Sequence, residues 1–201
     1  MDKIIVFDLG GVLIDWNPRY LYSSYFETSD SMEYFLSNIC TMDWNEEQDG
    51  GRPIEKANEI LIQKHPEYST EILAFYSEWE TMLNGAIEET VEILKSIRSQ
   101  CTQVYALTNW SAETFPIAQK NYPFLVWFDG ILVSGKENLK KPDPKIYQLL
   151  LKRYNLDPKK CLFIDDNQRN VKAAETQGIS SILYKNPAQL KEQLNLHGIK
   201  I

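Results

Sequence analysis

The feature that most constrains this chain is a series of short β-branched runs that end in polar residues and alternate with segments of helical pattern. Residues 3–7 read KIIVF and pass directly into Asp8 and the pair Gly10-Gly11, as a buried parallel strand passes into a loop. Similar runs stand at Val104 to Leu107, Ile131 to Val133, Cys161 to Ile164 and Ser180 to Leu183. Between them, Val91, Leu94 and Ile97 recur at helical spacing. Asp143-Pro144 opens KIYQLLLKRY with an N-cap and a Pro at the first helical position, and Gly178 closes the helix after Asn167. The alternation predicts an α/β fold, a doubly wound parallel sheet covered by helices on both faces.

The connection from the first strand to the second far exceeds an ordinary crossover, so it must carry structure of its own. Asn17-Pro18 starts one helix and SMEYFLSNI reads as another. Ile54 to Lys64 and Ile72 to Met82 place apolar residues at three- and four-residue steps. Gly50-Gly51 marks a tight turn between two helices. The insert therefore reads as a small helical bundle.

With 43% apolar and 12% aromatic residues, the 201-residue chain can bury a core. The net charge of −7 and the lack of any extended Lys/Arg block argue against nucleic-acid or anionic-membrane partners. A small anionic ligand must then be held by a few local cations. Cys40, Cys101 and Cys161 are widely spaced, without a CxxC pair, and read as buried thiols. The apolar run before Asp8 is too short for a signal peptide core or a membrane span, so a cytoplasmic protein is expected.

In a doubly wound sheet the loops at the strands' carboxyl ends converge on one crevice, which is where ligands bind. Four of these ends carry groups suited to phosphate or metal: Asp8 with Gly10, Thr108 with Asn109, Lys141 in KKPDP, and Asp165 with Asp166. Taken singly, each has an ordinary explanation as a strand end, a turn, a solvated lysine or a helix cap. Together they bring carboxylates into mutual repulsion that a shared cation would relieve, and oxygen ligands of this kind suit magnesium.

The segments FDLGGVLID, LTNW, KKPDP and FIDDNQRN resemble the four motifs of the haloacid dehalogenase-like hydrolase superfamily, and the match spans nearly the whole chain. Within it, the motifs are most similar to the branch of bacterial alpha-glucose-1-phosphatase. The resemblance implies a Rossmann-like core of residues 1–15 and 86–201, with a helical cap of residues 16–85 inserted after the first strand. It implies a phosphatase acting on a small phosphorylated metabolite, with hexose phosphates suggested by analogy. Asp8 would be the nucleophile that becomes an aspartyl phosphate. Mg2+ would be held by Asp8, the Gly10 carbonyl and Asp166, with Asp165 assisting indirectly. Thr108 and the Asn109 amide would bind the phosphoryl group, and Lys141 would supply positive charge to it and to Asp8.

One position departs from the pattern: most of these phosphatases carry a second Asp, a general acid and base, where this chain has Gly10. Asp15 and the cap loop are candidates for that missing function. In the cap, Trp44, Asp49 and Arg52 flank the Gly50-Gly51 turn and are candidates for substrate contact. Two alternatives stand beside the phosphatase. One is a 2-haloacid dehalogenase, which uses the same nucleophile on carbon without metal, but in which a serine usually interrupts the acidic pair and an aromatic stands at the Gly10 position. The other is a phosphate-binding protein with little turnover.

Overall fold

The computed structural model describes residues 3–100 and 103–201. Strand β1 (Ile4–Phe7) enters the core and β2 (Ile14–Trp16) leaves it. Helices α1 (Arg19–Tyr22), α2 (Ser29–Asn38), α3 (Met42–Asp49), α4 (Ile54–Lys64) and α5 (Ser69–Ser77) follow, and β3 (Leu83–Ala86) returns antiparallel to β2. The remainder alternates as α6 (Glu88–Ser99), β4 (Gln103–Thr108), α7 (Phe115–Asn121), β5 (Gly130–Val133), α8 (Ser134–Glu137), α9 (Pro144–Arg153), β6 (Cys161–Asp165), α10 (Gln168–Thr176), β7 (Ser180–Leu183) and α11 (Pro187–Leu196).

The main sheet is parallel throughout, in the order β5-β4-β1-β6-β7. Alternation of side chains along β1 sends Ile5 and Phe7 to one face, against Val91, Leu94 and Ile97 of α6 and Leu190 of α11. Ile4 and Val6 go to the other, against Ile146, Tyr147 and Leu150 of α9 and Ala174 of α10. Both faces are dry, which explains why the strands read as continuous apolar runs. A fully buried side chain of this size contributes about 1.5–3 kcal/mol, so the central strand is the least replaceable part of the scaffold. Its end is therefore a rigid place from which to present Asp8.

Helices α1 to α5 pack around an aromatic cluster. Tyr22 meets Phe35 and Phe75 at ring-centroid distances of 4.9 and 6.2 Å, and its hydroxyl donates to the Glu71 carbonyl at 2.8 Å. The segment expected as one helix from Ile72 to Met82 is broken: α5 ends at Ser77 and a single 3-10 turn, Trp79–Met82, leads into β3. The β2–β3 ribbon was not anticipated, because three- and four-residue strands are too short to show a period. It joins the helical insert to the core and straddles the expected boundaries at 15/16 and 85/86. Helix α3 was also unforeseen. It is capped by Thr41, whose hydroxyl accepts from the Trp44 amide at 3.1 Å. It ends at the glycine turn, where Gly51 adopts φ +102°, and a Cβ there would lie 2.2 Å from Asn138 Oδ1.

Cys40 and Cys161 are buried free thiols, whereas Cys101 lies outside the described residues. Among the described residues no helix is long and apolar enough to cross a membrane.

Candidate active site

Three adjacent strands bring the sequence motifs together. β1 pairs with β4 through Phe7 and Ala106 and with β6 through Phe7 and Ile164, so Asp8 emerges between Thr108 and Asp165. The Asp8 amide donates to the Ile164 carbonyl at 2.8 Å, and its own Oδ1 accepts from the Leu9 amide at 2.7 Å. Asp8 Oδ2 lies 2.8 Å from Lys141 Nζ. That ammonium is fully buried and fully occupied, with Asp165 Oδ2 at 2.7 Å and the Leu107 carbonyl at 2.9 Å. Asn109 holds the loop that carries it: its side chain donates to the Lys141 carbonyl at 2.9 Å and accepts from the Lys141 amide at 2.8 Å.

Asp165 is saturated. Besides Lys141 it accepts from the Asn167 amide at 2.8 Å and from Asn170 Nδ2 at 3.0 and 3.1 Å. Asp166 is exposed and aims at the same place, so that one carboxylate oxygen from each of Asp8, Asp165 and Asp166 falls within 4.8 Å of the others. The loop that returns from Asp8 fits closely beneath it: a Cβ on Gly11, at φ +74°, would lie 2.4 Å from Asp166 Oδ2. Three carboxylates facing one ammonium leave two negative charges uncompensated, and the donors are all hard oxygens, so the set suits a divalent cation such as magnesium. The electrostatics agree. Burial lifts the Asp8 carboxyl well above its ordinary range against the pull of Lys141, and Asp165 and Asp166 add to the rise. For Lys141, burial disfavours the charge, but Asp165 and Asp8 overcome it and raise the ammonium above its usual value. Thr108 contributes a different signal: its hydroxyl is buried without a hydrogen-bond partner.

Asp8, Gly10, Gly11, Asn109 and Asp166, backed by the buried Lys141 and Asp165, line one wall of a cleft of about 490 Å³. The other wall comes from the insert. Met42, Asn45, Glu46 and Asp49 of α3 line it, together with Trp16 of β2 and Trp79, and Trp110 of the core loop after β4 adjoins them. The three indoles stand in a row, with centroids 5.5 Å apart for Trp16 and Trp79 and 6.2 Å for Trp79 and Trp110. Charged contacts tie α3 to the core loops. Glu46 meets Arg169 at 2.7 Å and Lys140 at 3.6 Å, while the Ser134 hydroxyl donates to the Asp49 carbonyl at 2.5 Å.

The haloacid dehalogenase-like hydrolase family model matches residues 3–178. The chain belongs to this family. It is 28% identical over 177 residues to a sesquiterpene phosphatase of Aspergillus oryzae, a match covering 88% of this chain and 87% of that protein. A HAD family enzyme of Bacteroides thetaiotaomicron, solved with magnesium and inorganic phosphate, superposes with a TM-score of 0.70 at 23% identity, over 92% of this chain and 96% of that one. The L-2-haloacid dehalogenase of Xanthobacter autotrophicus superposes at 0.64 with 15% identity, over 100% and 85% of the two chains. At these identities the two structures show the fold alone.

Within this haloacid dehalogenase-like frame, several expected contacts fall elsewhere. Trp44 faces into the insert, with ring centroids 5.2 Å from Phe75 and 5.5 Å from Tyr76, and does not line the cleft. Arg52 does not line it either; Nε donates to Gln48 Oε1 at 2.6 Å and its other arm reaches the Trp44 carbonyl at 3.1 Å. Both are candidates for substrate contact by their place beside the glycine turn, but neither lines the cleft. Asp15 is likewise engaged away from the cleft, accepting from the Tyr20 hydroxyl at 2.8 Å and Asn84 at 3.0 Å. Asp49, in contrast, lies in the cleft wall. Burial pushes its carboxyl up to about 7, against the Ser111 amide that donates to it and with Glu46 adding to the rise; Lys140 and Lys141 pull the other way. At Gly10 the space is open, since an added Cβ would meet nothing within 4 Å. The missing family Asp is thus a matter of sequence and not of room.

Proposed function

We propose that the chain is a magnesium-dependent phosphatase that hydrolyses a small phosphorylated metabolite through an aspartyl phosphate on Asp8. The observation that carries this reading is the set of groups at the ends of β1, β4 and β6: a carboxylate beside a saturated buried ammonium, two further carboxylates converging on it, and an unpaired buried hydroxyl on Thr108. An unsatisfied buried hydroxyl costs about 1–3 kcal/mol, so its retention calls for a partner, and a phosphoryl oxygen is one. The similar Aspergillus protein is named as a phosphatase, and the Bacteroides structure contains magnesium with inorganic phosphate.

In this reading Asp8 attacks phosphorus in line, the bond to the leaving oxygen breaks, and water then hydrolyses the acyl phosphate. The Thr108 hydroxyl and the Asn109 amide hydrogen-bond the transferring group. Lys141 balances the charge of Asp8 and of the phosphoryl oxygens without moving, because its other two contacts, to Asp165 and the Leu107 carbonyl, fix it. Asp8, the Gly10 carbonyl and Asp166, with Asp165 behind them, would hold magnesium, which would supply charge neutralisation at the phosphoryl oxygens. The row of indoles with Met42 suits a leaving group that has an apolar face, a sugar ring included. The uninterrupted Asp165-Asp166 pair weighs against the dehalogenase reading.

The test is hydrolysis of p-nitrophenyl phosphate with magnesium by the wild type and by Asp8→Asn. The variant is expected to fall to the background rate. Equal rates would remove Asp8 from the mechanism, and metal-independent halide release from 2-chloropropionate without phosphate-ester cleavage would replace the reading with dehalogenation.

A further inference from the structure

A phosphate ester with an alkyl leaving group needs a proton at the departing oxygen, and Gly10 leaves this chain without the residue that supplies it in most of its family. The carboxyls around the cleft differ in availability. Asp165 is consumed by Lys141, Asn167 and Asn170, and Asp166 belongs to the cation cluster. Glu46 is held by Arg169 and Lys140. Asp15 points elsewhere.

Asp49 remains. It lines the same cleft as Asp8, from the opposite wall, and its carboxyl is positioned by a relay of hydrogen bonds. Arg52 donates to Gln48, Gln48 Nε2 donates to the Tyr76 hydroxyl at 2.9 Å, and that hydroxyl donates to Asn45 Oδ1 at 2.9 Å. With its oxygen thus engaged, Asn45 turns its Nδ2 to Asp49 Oδ2 at 3.2 Å. A relay anchored in the insert thus ends on a cleft-facing carboxyl.

We propose that Asp49 is the general acid and base of this site. The inference rests on the phosphatase reading above. In the first step Asp8 forms its bond to phosphorus, the bond from phosphorus to the leaving oxygen breaks, and the proton of the Asp49 carboxyl passes to that oxygen, releasing the alcohol. In the second, water attacks the acyl phosphate, Asp49 takes the water's proton, and the bond from phosphorus to Asp8 breaks to give inorganic phosphate. Both side chains return to their starting state. The charged and titratable groups that face Asp49 are Glu46 on its own helix, Lys140 and Lys141 on the loop before α9, and Tyr76 on α5. The carboxyl is poised near neutrality, where an acid that must later act as a base works best.

The experiment compares kcat/KM for ethyl phosphate and p-nitrophenyl phosphate across pH in the wild type and Asp49→Asn. Nitrophenolate leaves without a proton and ethoxide does not. The variant should lose on the order of 10²-fold or more on ethyl phosphate and under about tenfold on p-nitrophenyl phosphate. The acid form of Asp49 disappears as pH rises through about 7, so the wild-type rate on ethyl phosphate falls across that pH. This descending limb should be missing in Asp49→Asn, whose substrate titrates identically. Gly10→Asp placed in the Asp49→Asn chain should restore ethyl phosphate hydrolysis, because that position has room. Asn45→Ala, which removes the donor to the carboxylate, should move the limb to higher pH even if the Asp49 variant folds poorly. Equal losses on both esters, or a limb that persists in Asp49→Asn and is unmoved by Asn45→Ala, overturns the proposal. Loss of Asp8-dependent p-nitrophenyl phosphate hydrolysis in the wild type would instead overturn the phosphatase reading.

Discussion

The two walls of the cleft are built on opposite terms. On the core side the groups around Asp8 are buried and spoken for: Lys141 has three partners, Asp165 has Lys141, Asn167 and Asn170, the Asp8 amide donates to the Ile164 carbonyl, and the Asp8 carboxylate accepts from the Leu9 amide. On the insert side α3 is held against the core by ion pairs to partly exposed cations, Arg169 and Lys140, and by hydrogen bonds from the Ser134 hydroxyl and the Ser111 amide to Asp49. The core wall can fix charge at a point within tenths of an ångström. A site divided in this way keeps its phosphoryl chemistry constant and leaves the leaving-group side open to change.

The comparison breaks most visibly at Lys141. Replacing it with Met would leave Asp8 and Asp165 buried without their counter-charge, a change of about 3–5 kcal/mol when one partner of a buried pair is removed. Lys141→Met should therefore lower thermal stability as well as turnover, as read by a melting curve beside the p-nitrophenyl phosphate assay. An unchanged melting temperature would mean that the core wall is less tightly coupled than its distances indicate. Asp166→Asn is the next largest in effect and sharpens the division within the core. The side chain is exposed, so stability should hold while the magnesium concentration needed for half-maximal rate rises by about 10-fold or more, as expected when a carboxylate ligand is lost. A magnesium response identical to the wild type would remove Asp166 from the metal site.

The same division explains what was readable in the sequence. Topology alone sends the ends of adjacent parallel strands to one crevice, so the convergence of Asp8, Thr108, Lys141, Asp165 and Asp166 was legible in the apolar runs that precede them. Helix α3 was not, because MDWNEEQD carries no apolar stripe. Its polar inward face is the reason: Asn45, Glu46 and Asp49 turn toward a cleft and not toward a core, so the period that betrays other helices is absent. Trp16, Trp79 and Trp110 are brought into one row by the β2–β3 ribbon and the end of β4, a convergence that no spacing in the chain encodes. Trp44 and Arg52 stand beside Gly50-Gly51 in sequence, yet a turn between helices has two sides, and only the packing of Trp44 on Phe75 fixes which one faces the cleft.

The smallest expected effect tests the α3 wall itself. Glu46 is the one α3 side chain that touches both Arg169, on the helix after the Asp165-Asp166 loop, and Lys140, next to Lys141. Glu46→Gln keeps its size and removes the charge from two ion pairs whose cations are partly exposed. Such pairs are worth about 0–1 kcal/mol each and are screened by salt. Stability should scarcely change, since the Ser134 hydrogen bond to the Asp49 carbonyl and the apolar packing of the insert are untouched. If α3 is held over Asp8 partly by these charges, KM should rise a few-fold at low ionic strength with kcat nearly constant, and the difference from the wild type should vanish as salt is added. A fall in kcat with KM unchanged would point instead to Glu46 acting on the reacting groups, and the distinction between a fixed core wall and an adjustable α3 wall would have to be redrawn.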